Sequence, residues 1–152
     1  MTGNKEFMDT LYRIELKKRK IVQKFLVEIG LTPGQGQARI LRYLSHHPHI
    51  TQKEIADACM LDVTTMSRVL DKLEKLGLII RERDPDCRRA YQISLTAAGQ
   101  EKAEQIEQAF QKLADQMCEG ISGEKMGLLT GELLKMVENL NHVEMIKMNE
   151  RK

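Results

Sequence analysis

A mainly helical fold with one small β-hairpin is predicted by three features of this 152-residue sequence. Apolar residues recur at helical spacing through most of the chain. Residues 78–95 instead alternate apolar and polar side chains around the turn sequence Asp84-Pro85-Asp86, which is typical of a hairpin. Only three prolines occur and no linker divides the chain, so we expect a single domain over residues 1–152.

Two helices are predicted before residue 50. The first is long, covers residues 5–29 and carries apolar residues at helical spacing. The second is predicted to begin with Thr32 as its N-cap and Pro33 as its first residue, where the missing N–H of proline costs nothing. It would bury three aliphatic side chains: Ile40, Leu41 and Leu44.

Two short helices joined by a tight turn are predicted next. Thr51 and Glu54 form a capping box at the start of the first of them. Asp62 is a good N-cap for the second, and Gly77 is placed to end it. Helical spacing gives this second helix a buried stripe made of Met66, Val69, Leu70, Leu73 and Leu76.

The hairpin follows, and two further helices complete the chain. One strand is predicted from Leu78 to Arg83, and the return strand would bury Tyr91, Ile93 and Leu95. Thr96 and Ser122 are predicted to cap the last two helices. Residues 31–99 therefore predict a winged helix-turn-helix lobe, flanked by long dimerisation helices at 5–29 and 100–147.

The exposed face of the second short helix and the hairpin tip carry side chains suited to DNA. The N-terminal turn of such a helix can enter the major groove, where every base pair shows a distinct donor and acceptor pattern. Thr64, Thr65 and Arg68 are predicted to make contacts there, and Arg88 is predicted to enter the minor groove. Contacts to phosphate, which add affinity without sequence choice, are predicted for Thr51, Gln52, Lys53 and Lys72, with Arg89 structural or phosphate-facing.

These residues resemble the MarR family of bacterial transcriptional regulators. The matching segments, over about residues 31–100, are LTPGQGQARILRYL and TQKEIADACMLDVTTMSRVLDKLEKLGLIIRERDPDCRRAYQISLTAAG. One departure is Cys87, because the family usually has an aspartate there that helps to brace the wing arginine. The resemblance implies a homodimer, a palindromic site on double-stranded DNA, and repression that a small-molecule effector relieves.

Composition limits the class of protein and the cellular compartment that can be expected. The net charge is only +2, so DNA binding would depend on local surface charge. Three cysteines, an odd number, argue against a disulfide framework and favour a reducing cytoplasm. No apolar run approaches the roughly 18 residues of a membrane span, so no membrane partner is expected.

Three other functions were weighed against DNA-binding regulation. A winged helix can be a protein-interaction module without DNA affinity, and a regulator of the same fold can be gated by redox chemistry or a metal. Cys87 is the candidate redox residue, because neighbouring arginines favour a thiolate. The cluster of His46, His47 and His49 lacks the i, i+4 spacing that puts two imidazoles on one helix face, so no metal site or cofactor is expected. No catalytic motif is found, and an enzyme is not expected.

Overall fold

The computed structural model describes residues 2–144, with the side chains of Thr2 and of residues 87–89 outside the described part. The elements in chain order are α1 (Thr2–Glu28), α2 (Gln37–His46), β1 (Ile50–Thr51), α3 (Gln52–Cys59), α4 (Val63–Lys75), β2 (Ile79–Asp84), β3 (Cys87–Leu95), α5 (Ala97–Met117) and α6 (Gly123–Leu140). The predicted mainly helical fold with a small sheet and a winged helix-turn-helix order of elements is confirmed.

The strands of the described chain form one antiparallel sheet in the order β1-β3-β2. In the hairpin, Arg81 lies opposite Ile93 and Arg83 lies opposite Tyr91. The short strand β1, which the sequence analysis did not predict, pairs Ile50 with the same Ile93. Because β1 leads directly into α3, this pairing attaches the hairpin to the start of the helix-turn-helix.

The core lies between α2, α3, α4, the sheet and the first half of α5. The predicted core residues of α2 are confirmed, and the largest side chains buried with them include Ile55, Met66, Leu70, Leu73, Ile79, Ile93 and Ile106. Two predictions of burial are wrong. Leu76 is 52% exposed because α4 ends at Lys75 and Leu76 is its C-cap. Tyr91 is 42% exposed because it faces a groove between β3 and α3 instead of the core.

The start of α2 also differs from the prediction. The helix begins at Gln37, and Thr32 and Pro33 lie in the preceding loop. Gly34 and Gly36 both have φ of +78°, a left-handed conformation that a right-handed helix cannot contain. The buried Gln37 side chain closes the loop, because its Oε1 accepts a hydrogen bond of 2.9 Å from the Thr32 amide.

A single threonine joins the end of α4 to the start of α5. The chain leaves α4 through Gly77, whose φ is +73°, and the Leu78 amide donates to the Leu73 carbonyl at 3.0 Å. The Thr96 hydroxyl donates to the Gly77 carbonyl at 2.6 Å and accepts from the Gly99 amide at 3.0 Å. The predicted capping role of Thr96 is confirmed, and the same hydroxyl closes α4 as well.

The chain contains two compact units, one up to Ala109 and one from Phe110 onward. The first unit contains the winged helix-turn-helix. The second contains the end of α5 and all of α6, whose predicted N-cap Ser122 accepts from the Lys125 amide at 3.2 Å. None of the residues of α6 is buried. The assignment of one domain to the whole chain stays a prediction.

Candidate nucleic-acid interface

The N-terminus of α4 is fixed by its N-cap. One carboxylate oxygen of Asp62 accepts from the Thr65 amide at 2.8 Å, and the other accepts from the Thr65 hydroxyl at 2.7 Å. The hydrogen bond from the Thr65 amide, and after it the one from the Thr65 hydroxyl, lower the pKa of Asp62. The Asp62 carboxylate that caps α4 therefore stays ionised at neutral pH. The hydroxyl proton of Thr65 is therefore used within the protein, and this side chain can only accept a hydrogen bond from DNA.

The two faces of α4 are sharply different. The inner face buries Met66, Val69, Leu70 and Leu73. On the outer face Thr64 and Arg68 are exposed, and neither side chain has a hydrogen bond or ion pair among the described residues. An unpaired guanidinium can bind a guanine edge with two parallel hydrogen bonds, which makes Arg68 the strongest candidate for base recognition.

Lys72 lies two turns from the start of α4 and is exposed. Its ammonium donates to Gln35 Oε1 at 2.9 Å, which joins α4 to the glycine-rich loop before α2. An ammonium has three donors, so this contact leaves two for another acceptor. Lys72 therefore keeps donors for the predicted phosphate contact, although its ammonium has a protein partner.

The start of α3 supplies the other predicted phosphate ligands. The capping box is confirmed: the Thr51 amide donates to a Glu54 carboxylate oxygen at 2.8 Å, and the Glu54 amide donates to the Thr51 hydroxyl at 3.2 Å. Gln52 and Lys53 follow in the first turn. Thr51, Gln52 and Lys53 border a groove of about 920 Å³. Val63 and Met66 of α4 and Tyr91 of β3 also line it.

The hairpin forms the wing. Its turn is closed by Asp84, whose carboxylate accepts from the Asp86 amide at 2.9 Å. The backbone of β3 begins at Cys87. The side chains of Cys87, Arg88 and Arg89 lie outside the described residues, so the predicted wing contacts and the redox role of Cys87 stay predictions.

An ion-pair cluster that the sequence analysis missed joins the wing to α4. Arg81 of β2 is only 19% exposed, and its guanidinium binds Asp71 and, at 2.8 Å, Glu74. The sequence contained a signal, because Arg81 falls on the same strand face as the buried Ile79. A cation on an inward face requires an acid, and Asp71 and Glu74 are three residues apart on one face of α4.

A second cation holds the turn of the helix-turn-helix. Arg39 of α2 donates to the Cys59 carbonyl at 2.8 Å, which caps the C-terminus of α3. Burial raises the pKa of the Cys59 thiol, and the charge of Arg39 only partly opposes this. Cys59 is therefore protonated at neutral pH and packs as an apolar side chain.

Clusters of metal ligands and membrane-spanning helices were sought in the part of the chain that is described. No three residues of His, Cys, Asp or Glu come close enough there to hold a metal ion. His47 instead stacks on Tyr43, with ring centroids 4.1 Å apart. None of the described helices combines the length and the apolar character that crossing a membrane requires.

Comparison with known proteins supports one family. A sequence profile described as MarR family matches residues 29–90, from the end of α1 to the wing. The chain is 27% identical to YdgJ, an uncharacterized HTH-type transcriptional regulator of Bacillus subtilis, over 91% of this chain and 84% of that protein.

Two solved structures are similar over most of the chain. The transcriptional regulator SlyA has a TM-score of 0.76 at 25% identity, over 88% of this chain and 93% of that chain. The complex of S. aureus MepR with DNA has a TM-score of 0.77 at 26% identity, over 88% of this chain and 97% of that chain. The order of elements, the profile match over residues 29–90 and these relatives agree, and the chain is similar to the MarR family of winged-helix transcriptional regulators.

Proposed function

We propose that this protein regulates transcription by binding a specific sequence of double-stranded DNA. The observation that carries the proposal is the outer face of α4. Its leading turn is fixed by Asp62, and the side chains of Thr64 and Arg68 project from it without a partner among the residues that the structure describes. A rigid helix with free polar side chains at its N-terminal end is what major-groove reading requires.

The other contact residues surround this face. Arg68 and Thr64 donate to base edges, and Thr65 accepts from them. Four residues bind phosphates and set the register of the protein on the duplex: the α3 N-cap Thr51, Gln52 and Lys53 in the first turn of α3, and Lys72 of α4. The wing places Arg88 in the minor groove and Arg89 on the backbone.

A second copy of the chain completes the regulator. The terminal helices expose large apolar side chains, including Leu128 and Leu140, each 67% exposed. A twofold homodimer would bury such surfaces and would place two copies of α4 about one DNA turn apart, on a palindromic site. This homodimer acts as a repressor in the cytoplasm. A small-molecule effector relieves repression because it binds most tightly to a dimer whose two α4 helices have a spacing that does not fit DNA.

The test begins with selection of binding sites from random-sequence DNA, followed by affinity measurements at two salt concentrations. Arg68→Ala should lose about 1–3 kcal/mol at one base position and relax specificity there. Lys72→Ala should weaken all sequences about equally and reduce the salt dependence. Lys135→Ala, on α6, is the matched control and should bind as the wild type does.

Two results would contradict the proposal. If selection enriches no sequence, the winged helix is a protein-interaction module. If a sequence is enriched but Arg68→Ala binds every variant of it as the wild type does, α4 is not the reading element.

A further inference from the structure

The first residue of α4 is an exposed valine. Val63 follows the N-cap directly and is 73% exposed, whereas Met66, one turn later, is fully buried. A β-branched residue lowers helix propensity slightly, and an exposed one adds nothing to the core. Neither the stability of α4 nor the packing of the lobe therefore explains a valine at this position.

Two polar side chains close to Val63, those of Asp62 and Thr65, already bind each other. Both carboxylate oxygens of Asp62 accept hydrogen bonds from Thr65, and the only hydroxyl proton of Thr65 is donated to Asp62. The leading edge of α4 therefore presents the Thr64 hydroxyl and the two methyl groups of Val63. An apolar surface at this point is suited to an apolar feature of the DNA.

The major groove contains one such feature in ordinary DNA. Thymine carries a methyl group at C5, and the edges of the other bases show only hydrogen-bonding groups or bare carbon. We infer that Val63 packs against the 5-methyl group of a thymine and selects a T·A pair at one position of each half-site. This inference rests on the proposed function and adds a specificity-determining residue to it.

The side chain of Val63 can be shortened without loss of the fold. It is 73% exposed and lines the open groove that α3, the start of α4 and β3 form, so little buried contact is lost. Alanine is also a better helix former than valine. Val63→Ala should therefore keep the circular dichroism spectrum and the unfolding midpoint of the wild type, and changes in its DNA binding report on the contact itself.

The experiment replaces each thymine of the selected site, one at a time, by uracil, which lacks only the methyl group. Wild-type protein should lose about fourfold in affinity at one position per half-site, the effect expected for exposing one buried methyl group. For Val63→Ala the same replacement should have no effect. Met60→Ala removes an apolar side chain that is 89% exposed in the turn before α4, and it should keep the wild-type response to uracil.

The outcomes separate the two proposals. If the wild-type protein binds a selected sequence but tolerates uracil at every position, the inference is overturned and the proposed function stands. A uracil effect that persists unchanged in Val63→Ala also overturns it, because another residue then contacts the methyl group. If no sequence is selected, the proposed function fails and the inference fails with it.

Discussion

The winged-helix lobe, residues 26–109, and the terminal helices, meaning residues 2–25 of α1 and all of α6, treat their apolar residues differently. Every buried apolar side chain of the described chain lies between Leu26 and Ile106. The terminal helices show comparable helical spacing, but Ile21, Leu128 and Leu134 are between 53% and 67% exposed. Helical periodicity therefore predicts an apolar face and leaves open what covers it. For the lobe the same chain covers it, and for the terminal helices we propose a second copy.

The largest expected effects come from replacing one leucine in each region. Leu70 is fully buried, so Leu70→Ala should lower the free energy of unfolding by about 2–5 kcal/mol and leave the association state unchanged. Leu134→Glu, on α6, should instead shift the protein toward monomer. Urea unfolding and sedimentation velocity measure the two quantities. A Leu134→Glu protein that stays dimeric would contradict the proposal that a second copy covers the apolar face of α6.

A pair of glycines gives the next effect. A Cβ atom at Gly99 would lie 1.9 Å from the Leu78 carbonyl oxygen, so Gly99→Ala should cost about 1–3 kcal/mol of stability or more. Gly131 lies inside α6, and apart from the adjacent residues and backbone of that helix no atom of the described residues lies within 4 Å of the same position. Gly131→Ala should therefore raise stability by about 0.5–1 kcal/mol, and thermal unfolding of both variants checks this. A loss at Gly131 would instead show that a partner chain approaches α6 closely there.

The ion-pair cluster of Arg81 and the single Lys135–Glu132 pair test whether charges differ between the regions as apolar groups do. Arg81 is 19% exposed and binds two acids of α4, so Arg81→Met should cost about 1 kcal/mol. Lys135 and Glu132 of α6 are 72% and 64% exposed, and Lys135→Met should change stability by about 0.3 kcal/mol at most. Equal losses of unfolding free energy, measured with urea, would mean that exposure does not decide how much each of the two sites contributes to stability.

The smallest expected effect is a change in the pH dependence of stability under acidic conditions. The Nε of Arg42 donates to Glu107 at 2.8 Å, and this hydrogen bond lowers the pKa of Glu107 below its ordinary value of 4.5, with burial opposing it. A lowered folded-state pKa adds stability above pH 4.5 that is lost as the pH falls through the folded value. Glu107→Gln should remove this dependence and cost less than about 1 kcal/mol at pH 7.

The control for that measurement lies on α1. Glu15 and Arg19 form a pair within a single helix, and both side chains are more than half exposed. Glu15→Gln should leave the unfolding free energy at pH 7 within about 0.5 kcal/mol of the wild type. If it costs more than Glu107→Gln, the pair that joins α2 to α5 has no special role in the lobe.

Local signals predicted the parts of the fold that depend on neighbouring residues. The capping box at Thr51, the N-cap Asp62 and the helix end at Gly77 are all confirmed, because each satisfies backbone groups within a few residues. The start of α2 was predicted wrongly, since Thr32 and Pro33 satisfy the same rules as a true helix start. The positive φ of Gly34 and Gly36 decided the outcome.

Contacts between distant residues could not be predicted in the same way. Strand β1 exists because Ile50 meets Ile93, 43 positions along the chain, and two residues carry no periodicity of their own. The Lys72–Gln35 contact joins two residues 37 positions apart. In the candidate interface, the engagement of Thr65 by Asp62 decides which side chains stay free to read DNA, and chain order alone did not reveal it.

The Thr96 hydroxyl has a consequence for how the lobe opens. It donates to the Gly77 carbonyl, just after α4, and accepts from the Gly99 amide in the first turn of α5. Because one hydroxyl makes both hydrogen bonds, we expect the two helix ends to fray together. Amide hydrogens at the two ends should therefore exchange with solvent deuterium through one shared opening event, at one free energy. In a slow-exchange experiment α4, the wing and the first turn of α5 would then behave as a single cooperative folding unit.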